Sequence, residues 1–471
     1  MVVIHLSAEC YPLAKVGGLG DVVGALPKYQ QELGVTAIVV TPYYDRKFAR
    51  ENEFEVVYES VFRMGDRDLP FQVLKETTDR LGFHLHMIRI PGLLDRSEIY
   101  SYPDETEQFI AFQLAFLEWL LKFKDNPDII HCHDHHTALV PYLMSHAFKY
   151  RFLSTIPTVL TIHNGQYQGW FGWDKFHYLP ETDPWTRGLL DWGGAINPLA
   201  AAVKSCWKFT TVSPSYLAEL MENSKGLETL FVQEQKKGSG ILNGIDTDVW
   251  NPATDPLITF NYGLDNVTKG KQENKRALCK EFGFTLSKPL IAFIGRLVDE
   301  KGADLLPDAI AQILSAAKSK ASILVLGSGD PAIEEKLAQL KETYKKDYNV
   351  YIGYDEALSH RIYSGSDFLL MPSRVEPCGL NQLYAMKYGT IPIVRSTGGL
   401  KDSVIDAAEP EGYGICFPEM DVESIVASIA RAVDLYANTS NVRLLRKRMM
   451  LLDFSWNRSA SQYIDLYNSL K

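Results

Sequence analysis

Short apolar runs recur along the chain at 2–6, 37–41, 84–90, 129–133, 158–163 and 209–212, and again at 290–295, 322–327, 349–353, 368–372 and 390–394. Several are continuous rather than alternating, as parallel strands covered on both faces are. Between them lie segments whose apolar positions recur every three to four residues, including 22–33, 303–317, 332–345 and 422–437. These read as amphipathic helices. Strand and helix in alternation predict an α/β protein with doubly wound parallel sheets. The rhythm fails over 245–262, a stretch carrying Asn251-Pro252 and Asp255-Pro256. A chain of 471 residues exceeds one core, so this break marks a boundary between a first domain at 1–247 and a second from 248. No repeat or low-complexity segment is present.

Composition narrows the class. Hydrophobic residues make 46% and charged residues 23% of the chain, an ordinary balance for a globular enzyme. The formal net charge of −10 argues against a general nucleic-acid binder, so an anionic ligand needs locally placed cations. No apolar run reaches the roughly 18–20 residues that span a bilayer. The longest candidate, 111–123, is interrupted by Glu118 and Lys122 and reads as a core helix. The six cysteines are scattered without a C-x-x-C pair, and no positive segment precedes an apolar core at the N-terminus. Both features point to reduced thiols and a cytoplasmic setting.

Candidate chemistry gathers at strand ends. Lys15-Val16-Gly17-Gly18-Leu19-Gly20-Asp21 lies between the first strand and the first helix. Glycines there let backbone N–H groups approach a ligand, the helix N-terminus favours negative charge, and Lys15 adds a cation. The pattern is neither G-x-G-x-x-G nor a P-loop. A turn needing glycine for geometry alone is the plainer alternative. In the second half, Gly295-Arg296 closes a strand and Glu300-Lys301-Gly302 follows, so Arg296 and Lys301 fall together at a strand's carboxyl end. Beyond them comes Pro372-Ser373-Arg374-Val375-Glu376-Pro377-Cys378-Gly379-Leu380. The N–H groups of Gly379 and Leu380 suit a phosphate oxygen. Glu376 beside them suits sugar hydroxyls.

Other features weigh toward structure. His131-Cys132-His133-Asp134-His135-His136 lacks metal-site spacing, and alternate residues of a strand end face opposite ways. Core packing fits it better than a zinc site. Asp246-Thr247-Asp248 reads as a turn rather than a metal-binding D-x-D. Gly327-Ser328-Gly329-Asp330 reads equally as ligand contact or strand–helix turn. Cys378 reads as a small packing residue rather than a nucleophile. The aromatic stretch 167–178 reads as a sugar platform or as a satellite core.

With these motifs in order, the chain resembles the bacterial glycogen synthases and plant starch synthases. The resemblance runs through the Lys15–Asp21 motif, His133-Asp134, Thr161-Ile162-His163-Asn164 with Tyr167-Gln168-Gly169, Thr211-Val212-Ser213-Pro214 and Leu242-Asn243-Gly244-Ile245-Asp246. It continues through Gly295-Arg296, Lys301-Gly302, Gly353-Tyr354, the segment from Pro372 to Leu380, Thr397-Gly398-Gly399-Leu400 and Phe454-Ser455-Trp456. It implies a retaining glycosyltransferase of the GT-B fold, two Rossmann-like domains facing a central cleft, with residues 453–471 crossing back to the first. The implied reaction moves glucose from ADP-glucose to the non-reducing end of an α-1,4-glucan, with no cofactor and no metal. Nucleic acid and membrane are not partners.

By that resemblance Arg296 and Lys301 bind the diphosphate, while Lys15 and Gly18 reach the phosphate and acceptor side. Gly379 and Leu380 serve the distal phosphate. Glu376 and Cys378 hold the glucose, His163 lies near the anomeric carbon, and Asn243 contacts the glucose region. Asp21 and Asp134 line the acceptor side, and Asn164 binds substrate; Tyr354 packs on the base, and Thr397 lies near ribose and phosphate. Three positions depart from the family pattern: Asn381 for Thr, His135 for Trp, and Ala200 for Lys. No second carboxylate pairs with Glu376 as double displacement requires, so same-face attack is the expected route. Two other readings stand beside this one. One is a GT-B glucosyltransferase using UDP-glucose or a small acceptor; the other is a non-catalytic glucan- or nucleotide-binding homologue.

Overall fold

A computed structural model of the chain describes residues 1–78, 80–124, 126–315 and 320–471. It contains two compact units, Met1–Asn243 with Trp456–Lys471, and Gly244–Ser455.

The first unit is built on β1 (Val2–Leu6), β2 (Thr36–Pro42), β3 (Phe54–Met64), β4 (Arg67–Glu76), β5 (His84–Arg89), β6 (Ile129–His133), β7 (Thr158–Ile162), the short ribbon β8 (Asp191–Trp192) and β9 (Ala195–Ile196), β10 (Lys208–Thr211) and β11 (Gly238–Gly240). Its main sheet runs β11-β10-β7-β6-β1-β2-β5-β4-β3. It is parallel except at one edge, where β4 pairs antiparallel with both β5 and β3. Every residue of β6 and β7 is buried, which is why these runs are continuously apolar or neutral. Val3, Ile129 and Val159 on one face pack against Val22, Leu26 and Tyr29 of the helix Gly18–Glu32, and against Trp456, Ala460, Tyr463 and Tyr467 of the helix Trp456–Asn468.

The β3–β4 hairpin was not expected from the apolar runs. Its outer strand leaves Val56, Val57 and Val61 exposed among charged neighbours, an alternation typical of a sheet edge rather than of a strand covered on both faces. The first helix also starts at Gly18, four residues earlier than the periodicity placed it. Its first turn is glycine-rich because space is short there: a Cβ on Gly20 would lie 3.1 Å from Lys15 and 3.2 Å from the Glu9 carboxylate.

The second unit carries β12 (Leu290–Ile294), β13 (Ser322–Gly327), β14 (Tyr348–Ile352), β15 (Phe368–Met371), β16 (Ile391–Arg395) and β17 (Ile415–Phe417) in the order β14-β13-β12-β15-β16-β17, all parallel. β17, only three residues long, was too short to register in the pattern. The expected helix at 303–317 resolves into a 3₁₀ turn, Ala303–Leu305, and a helix, Leu306–Leu314; positions 316 and 317 lie outside the described residues. The helix Pro331–Thr343 starts on Asp330, whose carboxylate accepts from Ala332 N–H, and Val422–Ala437 starts on Asp421. No helix or strand lies between Gly240 and Val267. No described helix is long and apolar enough to cross a membrane.

Buried charge holds the amino ends of the central strands of this sheet. Asp367, just before β15, accepts from Leu290 N–H at 2.9 Å, from Lys275 at 2.6 Å and from Arg446 at 2.8 Å. Burial alone would raise its pKa, but the two cations hold the carboxyl below its usual range. A depressed carboxylate stabilises the fold above its unfolded pKa, and that contribution fades as pH falls through the folded value. Asp367→Ala should therefore cost about 3–5 kcal/mol at neutral pH, because it leaves two buried cations without their anion. Urea denaturation would show this, with the gap to wild type narrowing in acid.

Candidate active site

In both sheets the chain crosses from one side of the first strand to the other. In the first, the chain moves outward from β1 through β2 to the edge hairpin β3–β4, fills in β5 beside β2, and then crosses to place β6 on the other side of β1. In the second, it moves from β12 to β14 and returns to place β15 beside β12. At such a point the loops at the carboxyl ends of adjacent strands diverge, leaving a crevice for a ligand. In the first unit, Lys15, Gly18 and Asp21 follow β1, Asp134 follows β6, and His163 and Asn164 follow β7. In the second, Arg296 and Lys301 follow β12, Tyr354 follows β14, Glu376 to Leu380 follow β15, and Thr397 follows β16.

The glycine loop differs from its simplest reading. The Glu9 carboxylate, itself buried, accepts from Val16 N–H at 2.6 Å and Gly17 N–H at 3.0 Å, and its other oxygen accepts from Tyr100 O–H at 2.7 Å. Two N–H groups of the glycine-rich loop are thus occupied by an internal anion. Gly18 remains exposed at the helix start. Lys15 pairs with Asp21 at 2.6 Å, both side chains partly exposed. Spacing gave no signal for Glu9: an acid beside a glycine loop reads as repelling a phosphate until its own partners are seen.

Asp134 fixes the next segment. It sits at φ +56°, a backbone region costly for a residue with a side chain. Several contacts over-determine it: its N–H donates to Thr161 O, and its carboxylate accepts from His163 N–H at 2.7 Å and Asn164 N–H at 3.4 Å. Burial pushes the Asp134 carboxyl up to about 7; the two N–H groups oppose this, and the charge of Glu9 adds to it. Burial also lowers the His163 imidazole to about 3, so the ring is neutral at physiological pH. Asn164 turns its side-chain oxygen to Gln166 N–H. Asn243 is buried, and its side-chain oxygen has no partner among the described residues.

His131 and His133 are buried within the sheet, beside His5 of β1. Ligand-capable atoms of these three lie within 4.8 Å of one another. Their ring nitrogens are engaged by Gln30, Tyr467, Thr161, His163 and each other.

In the second unit, Lys301 Nζ lies 2.7 and 2.8 Å from the two Glu376 oxygens, and Ser373 Oγ donates to Glu376 at 2.9 Å. Two backbone contacts produce this pairing. Gly302 has φ +69°, and a Cβ there would collide with the Pro372 carbonyl, so the loops after β12 and β15 touch. The N–H groups of Arg374 and Val375 both donate to the Glu300 carbonyl. Arg395 donates to the carbonyls of Ser373 and Arg374, and Arg374 pairs with Asp304. Arg395 closes the strand after the loop it braces, and nothing in its spacing marked it.

Gly379, at φ +73°, and Leu380 form the turn before the helix Asn381–Lys387. Cys378 is buried there, its carbonyl accepting from Gln382. The loop rests on the next helix: Gly399 N–H donates to the Glu376 carbonyl, and a Cβ on Gly398 would strike that same oxygen. Thr397, buried, precedes Gly398 as the helix N-cap. Arg296 is 59% exposed and only 3.5 Å from Glu300, so its guanidinium reaches solvent. Tyr354 is 81% exposed.

The departures now have locations. Asn381 donates to the Ile294 carbonyl at 2.8 Å, tying the helix after Leu380 to the end of β12. Ala200 is buried in the first turn of a helix capped by Asn197. His135 packs against Gly169, where any Cβ would meet its ring. Asp246 accepts from Asp248 and Val249 N–H, a turn. Asp330 caps a helix, which accounts for the Gly327–Asp330 segment. In the aromatic stretch, Tyr167 and Trp170 are exposed and Phe171 is buried.

Comparison with known proteins adds an independent line. The starch synthase catalytic domain model matches residues 2–233, and the glycosyl transferases group 1 model matches 274–445. A glycogen synthase of Flavobacterium johnsoniae is 53% identical over 99% of both chains. The chain belongs to the glycogen synthase family. A glycogen synthase of Thermodesulfovibrio yellowstonii is 37% identical over 99% of this chain and 97% of its own. The catalytic domain of starch synthase IV from Arabidopsis thaliana, solved with ADP and acarbose, superposes with a TM-score of 0.89 at 35% identity, covering 100% of this chain and 99% of that one. A sucrose-phosphate synthase from Thermosynechococcus elongatus, at 20% identity and a TM-score of 0.62, shares the fold. The family is one of retaining glycosyltransferases with the GT-B fold.

The raised carboxyl of Asp134 gives a signed prediction. A group whose folded pKa is raised contributes stability in acid that is lost as pH rises through the folded value. Asp134→Asn keeps an oxygen for His163 N–H but cannot ionise. The variant should therefore gain on wild type in stability between about pH 4 and 7, with a flat difference above. Denaturant titrations across that range would show it; a gap independent of pH would contradict it.

Proposed function

We propose that this protein elongates an α-1,4-glucan by transferring glucose from ADP-glucose with retention of configuration, in the cytoplasm. The observation that carries this reading is the Lys301–Glu376 contact at the β12/β15 reversal. An ammonium group has three N–H donors, and the carboxylate engages at most two of them. At least one is left for a diphosphate oxygen, while the carboxylate keeps lone pairs for sugar hydroxyls. Anion and sugar recognition thus sit side by side on one strand edge, as a sugar nucleotide requires.

In this reading Arg296 and Lys301 stabilise the charge that builds on the departing diphosphate, a preorganised electrostatic role. Gly379 and Leu380 offer N–H groups to its distal phosphate, Tyr354 offers a ring to the base, and Thr397 lies on the ribose side. Glu376 and the Cys378 segment hold the glucose. His163, neutral and buried, acts by hydrogen bonding rather than as a cation. Lys15, Gly18, Asp21, Asp134, Asn164 and Asn243 serve the acceptor and glucose in the same reaction. Among the described residues no carboxylate is partnered to Glu376 for a covalent intermediate, so in this reading the acceptor hydroxyl attacks on the face the diphosphate leaves, and a phosphate oxygen takes its proton. The ADP in the starch synthase IV structure supports an adenine donor. The free thiols of all six cysteines suit a reducing compartment.

The test is glucose transfer from ADP-glucose and from UDP-glucose to glycogen, with EDTA present. Transfer from ADP-glucose should survive EDTA. Glu376→Ala should fall by about a hundredfold or more with circular dichroism unchanged. Near-normal turnover in that variant, or transfer from UDP-glucose alone, would reject the assignment.

A further inference from the structure

The buried histidines of the first unit form a chain with a direction. Gln30 Oε1 lies 2.7 Å from His5 Nε2, His5 Nδ1 lies 3.0 Å from His133 Nε2, and His133 Nδ1 lies 3.0 Å from His163 Nε2. At the other end, Gln30 Nε2 donates to Tyr467 O–H at 3.1 Å; that hydroxyl lies 2.7 Å from His131 Nδ1, and His131 Nε2 lies 2.6 Å from Thr161 Oγ1. Gln30, His5, His131, His133 and Tyr467 are fully buried. The rings of His131 and His133 stack at 4.2 Å, and those of His5 and His133 at 5.4 Å.

Cationic rings are excluded from this environment. Burial lowers His5 to about 4 and His163 to about 3, and drives His131 and His133 down as well. A neutral imidazole has one donor and one acceptor nitrogen. Each link therefore dictates the next. Gln30 Oε1 can only accept, so His5 carries its proton on Nε2 and accepts at Nδ1. His133 then carries its proton on Nε2 and accepts at Nδ1, and His163 must do the same. Gln30 Nε2 donates to the Tyr467 hydroxyl, whose own hydrogen is then directed to His131 Nδ1.

We propose that Gln30, His5 and His133 are positioning residues that lock His163 in its Nε2–H tautomer, so that it presents Nδ1 to the reacting sugar as a hydrogen-bond acceptor and never as a donor. The proposal rests on the assignment of His163 to the sugar given above. Among the described residues His163 Nδ1 has no partner, so its lone pair is available to a hydroxyl. The helix Trp456–Asn468 thereby acts on the site through one hydroxyl, that of Tyr467. A metal on the same three histidines is the competing use of these atoms. It would need the lone pairs that the chain already spends.

The experiment is nitrogen-15 NMR of the full chain with labelled histidine, which distinguishes the two ring nitrogens without requiring turnover. His5, His131, His133 and His163 should all appear as neutral Nε2–H tautomers at pH 7. An Nδ1–H or cationic His163, or one zinc ion retained per chain on elemental analysis, would overturn the proposal. Gln30→Leu removes the terminal acceptor and should lower kcat by on the order of tenfold, one hydrogen bond's worth, with His163 spread over both tautomers. Gln30→Glu can still accept from His5 and should restore both the tautomer and most of kcat. If Gln30→Leu does not fold, Tyr467→Phe frees the amide to rotate and should mix the tautomers in the same way. Unchanged kcat in a variant with mixed tautomers would refute the positioning role. Absence of transfer from any donor, with the tautomers as stated, would instead count against the proposed function alone.

Discussion

Parallel strands covered on both faces leave no place within the sheet for groups that must meet water or ligand. β6, β7 and β13 are buried at every position, so the polar chemistry is displaced to the loops beyond their ends. Because the strands are parallel, the loops that follow them share one edge. The reversal of winding at β1/β6 and at β12/β15 then spreads neighbouring loops apart. Every candidate residue of the second unit lies on that edge, and so do those of the first, Asn243 included, since β11 runs parallel to β10.

Charge on these edges is balanced locally rather than left open. Lys15 meets Asp21, Lys301 meets Glu376, and Arg374 meets Asp304. The exposed Lys15–Asp21 pair contributes little to stability, whereas the more buried Lys301–Glu376 pair fixes a geometry. Glu9 shows the same economy with backbone donors: its carboxylate takes two N–H groups of the glycine loop and so defines the loop's shape. Arg296, by contrast, reaches solvent at the end of β12. In the proposed function this guanidinium and the remaining donor capacity of Lys301 are what the second unit offers to an anion.

The buried polar chain of the first unit follows a different logic. Neutral imidazoles inside a low-dielectric sheet cannot tolerate an unmatched donor or acceptor, so each ring's protonation depends on its neighbour. Departures from the family pattern fall outside this chain. Asn381 serves the backbone beyond β12, Ala200 fills a helix turn, and His135 packs on Gly169.

Much of the architecture could be read from the order of residues alone. Continuous apolar runs identified β6 and β13 to the residue, and the position of Arg296 and Lys301 after an apolar run placed both at a strand's carboxyl end. Ordered motifs made the family recognisable, because a glycine or proline at a turn and an apolar residue in a covered strand are demanded by local geometry. The edge hairpin β3–β4 escaped, since an edge strand need not be continuously apolar. Partners distant in sequence escaped too. Glu9 with Gly17, Lys301 with Glu376, and Gln30 with Tyr467 are separated by stretches that carry no record of one another. Local propensity and periodicity act over a few residues, so the sequence by itself determined the elements and the strand ends where chemistry belongs. Which donor meets which acceptor, and hence which protons and charges remain free for a ligand, was decided only when packing brought those ends together.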